Sequence, residues 1–168
     1  MSEAAVFRHL AARGVAFAII GARAMGIRGV LRFSDDTDVL TTNRDVLQPE
    51  FWTELAHATL DIRRGDLLDP LAGVATVTMG EDVIDVVVGK YKWQTAVVQR
   101  AEAIPVADEA WPVVRAADLI LLKLFAGGPQ DAWDIEQLLR ADPSLRTEVE
   151  RHLPDLADHV RVFWQRFA

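Results

Sequence analysis

The chain has 168 residues, of which 51% are hydrophobic, with a net charge of −7 and no cysteine. This composition excludes a disordered chain, a disulfide scaffold and thiolate zinc sites, and it argues against broad binding of duplex nucleic acid. No apolar run reaches the roughly 18–20 residues that span a bilayer, and the N-terminus lacks the pattern of a secretion signal, so the sequence fits a cytoplasmic protein.

Helix is predicted from Ser2 to Arg13, closed by Gly14, and the apolar run from Val15 to Ile20 is of strand length. Ala22 to Arg28 fits a short helix stopped by Gly29, and Asp36 to Thr41 a second strand. Asn43 caps a predicted helix running through Phe51, Trp52 and Leu55 to about Thr59. Strands follow at Val74–Met79 and Val83–Val88, joined by a hairpin turn at Gly80 and Glu81. Tyr91 to Arg100 is predicted helical; Ala103 to Val106 and Pro112 to Val114 are short extended pieces broken by proline. From Ala116 onward all is helix, over 116–126, 130–140, 144–153 and 155–167. This order predicts an α+β or mixed α/β fold, a small mixed sheet flanked by helices with a helical C-terminal third. The length suits one compact domain, with a core over 1–115 and C-terminal helices over 116–168 packed on it.

The chemistry concentrates in Arg32-Phe33-Ser34-Asp35-Asp36-Thr37-Asp38. Asp36 and Asp38 alternate along a strand, so both face one side, roughly 6–7 Å apart at Cβ, a suitable spacing for divalent cations. Asp85 lies in the apolar run Val83-Ile84-Asp85-Val86-Val87-Val88, where an acid is costly unless paired, metal-bound or exposed. Three such acids could hold two magnesium ions, with manganese as an alternative, and so support phosphoryl or nucleotidyl transfer. Gly21 lets the backbone turn sharply and approach a phosphate, and a helix starting at Ala22 would aim N–H groups at it. Ser34 could bind the triphosphate or cap the turn before Asp36. Arg32 could neutralise phosphate or brace the acids. From Met1 to Ser34 five arginines, Arg8, Arg13, Arg23, Arg28 and Arg32, face the single acid Glu3, which predicts a locally positive region around the glycine turn. The four histidines have no metal-motif spacing and are taken as surface or packing residues.

Together these residues resemble the polymerase-β-like nucleotidyltransferase superfamily, in its branch of small bacterial toxin-type (AbiEii-like) proteins. The resemblance is carried by Gly21-Ala22-Arg23-Ala24, Gly29, Arg32 through Asp38, Asp85 in its strand, and Asp118 through Ile135, and runs from about Val15 to Leu139. It implies nucleoside triphosphate as donor, metal-ligand roles for Asp36, Asp38 and Asp85, and nucleotide contact by Gly21, Ala22, Arg32, Ser34 and Lys123. Lys123, Asp131 and Asp134 match the branch's lysine and Asp-x-x-Asp pattern. The two acids either hold Lys123 or Arg32 near the cleft, or serve as a helix-start acid and a structural ion pair. Two departures stand out: Ala22 replaces the second glycine of the usual pair, and Ser34 replaces threonine.

The leading expectation is a metal-dependent nucleotidyltransferase acting on a hydroxyl of RNA, protein or a small molecule, with an antitoxin as possible partner. A non-catalytic binding or antitoxin module on the same scaffold is the alternative, and a metal-dependent phosphohydrolase a weaker one. Aminoglycosides are a further acceptor class, for which the chain is short. Trp93, Trp111, Trp133 and Trp164 either line an acceptor pocket or belong to the core, the core being the commoner role.

Overall fold

A computed structural model describes residues 2–168, in which seven strands form one mixed sheet in the order β3-β4-β5-β2-β1-β7-β6. In chain order these are β1 (Phe17–Ile19), β2 (Asp36–Thr41), β3 (Thr59–Arg64), β4 (Gly73–Met79), β5 (Asp82–Val88), β6 (Glu102–Val106) and β7 (Glu109–Val113). The helices are α1 (Ser2–Ala12), α2 (Gly21–Ile27), α3 (Lys92–Gln99), α4 (Ala116–Ala126), α5 (Pro129–Ala141), α6 (Leu145–His152) and α7 (Asp158–Trp164). The mixed α+β class and the helical C-terminal region are as the sequence predicts. None of the described helices is long and apolar enough to cross a membrane.

The helix expected from Asn43 to Thr59 does not form. Asn43 does cap, its side chain accepting from the Asp45 N–H at 2.8 Å, but only for a 3-10 turn over Arg44–Leu47. Pro49 lacks an N–H and disfavours helical backbone at Gln48, so a second 3-10 turn, Pro49–Trp52, begins anew. The remainder extends into β3, an unforeseen strand whose half-buried Leu60 and Ile62 alternate with exposed Asp61 and Arg63. The two short extended pieces near the prolines are β6 and β7, which pair as an antiparallel hairpin.

Register decides which face each side chain takes. On one face, Ala75 and Val77 of β4, Ile84 and Val86 of β5 and Val39 of β2 are fully buried, and α1 packs against β4 and β5. His9 of α1 donates a ring N–H to the Phe51 carbonyl at 2.8 Å and stacks on Trp52, a packing role as expected. The opposite face carries Asp36, Asp38 and Asp85 together with half-buried Val74, Thr76 and Thr78. There α3 packs against β2, with Thr95 donating to Thr42 just beyond its end, and the start of α2 lies against Asp38, leaving Asp36 exposed and Asp38 and Asp85 half-buried. Leu119, Ile120, Leu121 and Leu124 are all buried, which marks α4 as a core helix; each such side chain contributes about 1.5–3 kcal/mol. Asp118, buried in its first turn, pairs bidentately with Arg100 at the end of α3.

Candidate active site

Strands β2 and β5 run parallel with Asp38 directly beside Asp85, and Asp36 lies two residues upstream on the same face. The structure therefore brings together the three acids chosen from sequence. Asp85 sits on an interior strand, not a sheet edge, because β4 flanks β5 on the other side. Burial, and then the charges of Asp85 and Asp36, push the Asp38 carboxyl up to about 6, against the opposing pull of Lys123 and Arg32. Such repulsion among acids costs stability, a cost that a bound positive charge would relieve.

Gly21 has φ of 62°, a left-handed conformation that favours glycine. The Ile20 N–H donates to the Asp38 carbonyl at 2.9 Å, which ties this turn to β2. A Cβ on Gly21 would overlap Oδ2 of Asp38, so the residue is required beside a carboxylate whatever it does for a phosphate. Gly21→Ala is expected to cost about 1–3 kcal/mol in thermal denaturation. By displacing Asp38 it should also lower magnesium-dependent nucleotide affinity; an unchanged melting temperature and affinity would contradict this placement. Ala22 is buried and contributes to the wall of a cleft of about 430 Å³, which runs past Arg23, Arg32, Phe33 and Ser34. Asp36 lines that cleft, whereas Asp38 and Asp85 do not.

The second cluster joins segments far apart in sequence. Arg32 donates to Oδ2 of Asp134 at 2.7 Å, and Lys123 Nζ donates to the same oxygen at 2.5 Å. Lys123 also reaches Asp131 at 3.4 Å, and Gln130 donates to the other Asp134 oxygen at 3.2 Å. Arg32 thus braces Asp134 rather than Asp36 or Asp38. Asp131 does both things expected of it, since its Oδ2 also accepts the Gly128 N–H at 3.0 Å at the start of α5. The Ser34 hydroxyl accepts the Asp36 N–H at 3.4 Å, which makes it a cap for the turn into β2.

The positive region expected around the glycine turn is neutralised by folding. Arg8 pairs with Glu109, Arg13 with Glu54, Arg23 with Glu3, Arg28 with Glu102 and Arg32 with Asp134. Four of those acids lie far along the chain, so local counting along the first 34 residues could not register them. Nor do the four tryptophans form a common pocket: Trp111 and Trp164 are buried, Trp93 meets Phe125, and Trp133 is exposed on α5.

Thr76 was not singled out from sequence. Its hydroxyl donates to Oδ1 of Asp85 at 2.5 Å from the facing position on β4. A signal existed: the two-residue turn at Gly80 and Glu81 fixes the hairpin register and sets Thr76 opposite Asp85. Asp61, opposite Thr76 on β3, extends the same row and was missed with its strand.

An all-oxygen donor set suits a hard divalent cation, and Asp36, Asp38 and Asp85 provide one. Among the described residues no group of three or more His, Asp or Glu side chains is placed to hold a metal ion, so the three acids share a face without forming a closed ligand cluster. Water and phosphate oxygens would have to finish the coordination, as magnesium ordinarily requires.

The chain matches no protein-family model and no curated protein. Solved structures do resemble it. The antibiotic-resistance factor ANT(2'')-Ia in solution aligns with a TM-score of 0.54 and 17% identity, over 95% of this chain and 85% of that one. A crystal structure of ANT(2'')-Ia with adenylyl-2''-tobramycin gives 0.55 and 16%, over 96% of this chain and 94% of the other. An antigenic nucleotidyltransferase-like protein from Paracoccidioides brasiliensis gives 0.53 and 13%, over 94% and 89%. The chain has a nucleotidyltransferase-like fold. At these identities the likeness concerns the path of the backbone alone.

Proposed function

We propose that the protein moves a nucleoside monophosphate from a nucleoside triphosphate to a hydroxyl of an acceptor and releases pyrophosphate. The observation that carries this reading is Asp38 in register with Asp85, with Asp36 on the same face, in a nucleotidyltransferase-like fold. In the step, the acceptor oxygen bonds to the α-phosphorus as the bond to the pyrophosphate oxygen breaks. The leaving electron pair departs with pyrophosphate, and Asp85, which borders the open face of β4 and β5, takes the hydroxyl proton. Asp36, Asp38 and Asp85 would hold two magnesium ions (manganese being the alternative), which when bound neutralise triphosphate charge and favour in-line displacement.

Charge bears on the acceptor. The net charge of −7 disfavours polyanionic RNA and suits a neutral or cationic hydroxyl compound or a protein side chain. Length is no objection to a small acceptor, because the chain spans 94% of a neighbour crystallised with an adenylylated aminoglycoside. This weighs against the expectation that the chain is short for that class. The Arg32–Asp38 and Lys123–Asp134 motifs support the toxin-type branch, in which the partner would be an antitoxin.

Radioactive label on the α-phosphate of each triphosphate, supplied with magnesium and either cell extract or an aminoglycoside, should appear in an acceptor. The Asp36→Ala/Asp38→Ala protein should incorporate at least about a hundredfold less. Equal labelling by both proteins would defeat the proposal. The alternative, a non-catalytic module, draws on the neutralisation of all five N-terminal arginines. It requires that magnesium and triphosphate together produce no calorimetric binding signal.

A further inference from the structure

Of Asp36, Asp38 and Asp85, only Asp85 has its carboxylate gripped by a neighbouring strand among the described residues. Thr76 Oγ1 donates to Asp85 Oδ1 at 2.5 Å, across a hairpin whose register places the two residues opposite one another. Thr76 stands on the side of Asp85 away from Asp38, since the strand order runs β4, β5, β2. Among the described residues no hydrogen bond to Oδ2 of Asp85 is found, so one carboxylate oxygen is fixed and the other is left for a reacting group. Both residues are half-buried, Val74 and Thr78 flank Thr76 on the same face, and among the described residues the Thr76 hydroxyl makes no other hydrogen bond.

We infer that Thr76 is a positioning residue for the acceptor step: by holding Oδ1 it orients the Asp85 carboxylate so that Oδ2 meets the incoming hydroxyl. The inference rests on the nucleotidyl-transfer reading and adds to it. A free carboxylate rotates about its last torsion with little restraint, whereas a charge-assisted hydrogen bond selects one orientation. Transfer is sensitive to such orientation, because a displacement near 1 Å at a reacting group can cost about a hundredfold in rate. Triphosphate binding depends on it less, since Asp36 and Asp38, two of the three acids that would hold magnesium, lie on another strand.

The test compares wild type with Thr76→Val and Thr76→Ser. Label incorporation into extract is followed as ATP concentration varies, and magnesium-dependent binding of a non-transferable ATP analogue is measured by calorimetry. Thr76→Val should lower the maximal rate about tenfold or more with KM for ATP and analogue affinity within about threefold, and Thr76→Ser should restore the rate. Thr76→Ala replaces Thr76→Val if the latter does not fold. A wild-type rate in the valine protein, failure of serine to restore it, or equal losses in rate and analogue affinity would each overturn the inference. If wild type itself binds the analogue but transfers nothing, or does neither, the transfer reading falls and this inference with it.

Discussion

Asp38→Asn is expected to abolish transfer while making the metal-free protein more stable above pH 6. The Asp38 carboxyl titrates near 6 because burial and the charges of Asp85 and Asp36 resist its ionisation, whereas in the unfolded chain it returns to about 3.8. Between these values the folded state holds a proton that the unfolded state has lost. Stability therefore falls as pH rises through this window, and the full penalty is present above pH 6. A shift of this size corresponds to about 2 kcal/mol after allowance for partial solvation. The asparagine protein should gain about that much at pH 8 without divalent cations and show a flatter profile between pH 4 and 6. Added magnesium and triphosphate should raise the melting temperature of wild type and leave the variant nearly unmoved. Loss of activity by about a thousandfold or more, combined with this gain, is the signature of a functional acid in an unfavourable setting. A variant less stable than wild type at pH 8 would show that Asp38 supports the fold instead.

The second large effect lies at Asp134. Its side chain is fully buried, and one oxygen receives both Lys123 and Arg32. Asp134→Ala leaves the Lys123 ammonium buried beside an emptied space, with Asp131 at 3.4 Å its remaining partner. Removal of one member of such a network should cost about 3–5 kcal/mol in urea or thermal denaturation. Replacing Lys123 together with Asp134, as in Lys123→Met/Asp134→Leu, should recover much of that loss because the buried ammonium is removed with its partner, and Arg32, the other donor, is partly exposed. The double variant should nevertheless disturb the site, since Lys123 lowers the Asp38 pKa and its loss would drive that carboxyl higher still. A cost below about 1 kcal/mol for Asp134→Ala would mean that water reaches Lys123 and the cluster is not a closed one.

The sequence was most legible where a local rule had no competitor. Alternation along Asp36–Thr41, the apolar stretch at Val83–Val88 and the continuous apolar surface of Ala116–Ala126 each specify their element, and all three form as read. Reading failed where two rules conflicted. At Asn43 the cap was correct, but Pro49 stopped propagation, and the alternation beyond the expected helix end at Thr59, over Leu60–Arg64, was assigned to no element. The charge around Gly21 misled for a different reason. Arg8, Arg28 and Arg32 find their acids in β7, β6 and α5, so the balance of a segment says little about the field at a surface.

The sequence by itself determined which residues could do chemistry. Period-two spacing puts Asp36 and Asp38 on one face wherever the strand lies, and an acid within Val83–Val88 demands a partner. Tertiary structure alone decided the company they keep. Parallel pairing of β2 with β5 sets Asp85 beside Asp38, the Gly80 turn brings Thr76 to Asp85, and the docking of α5 delivers Asp134 to Arg32 and Lys123. Local spacing fixes the direction of a side chain, but the distance between side chains on different elements is set by register and packing, which depend on the whole chain.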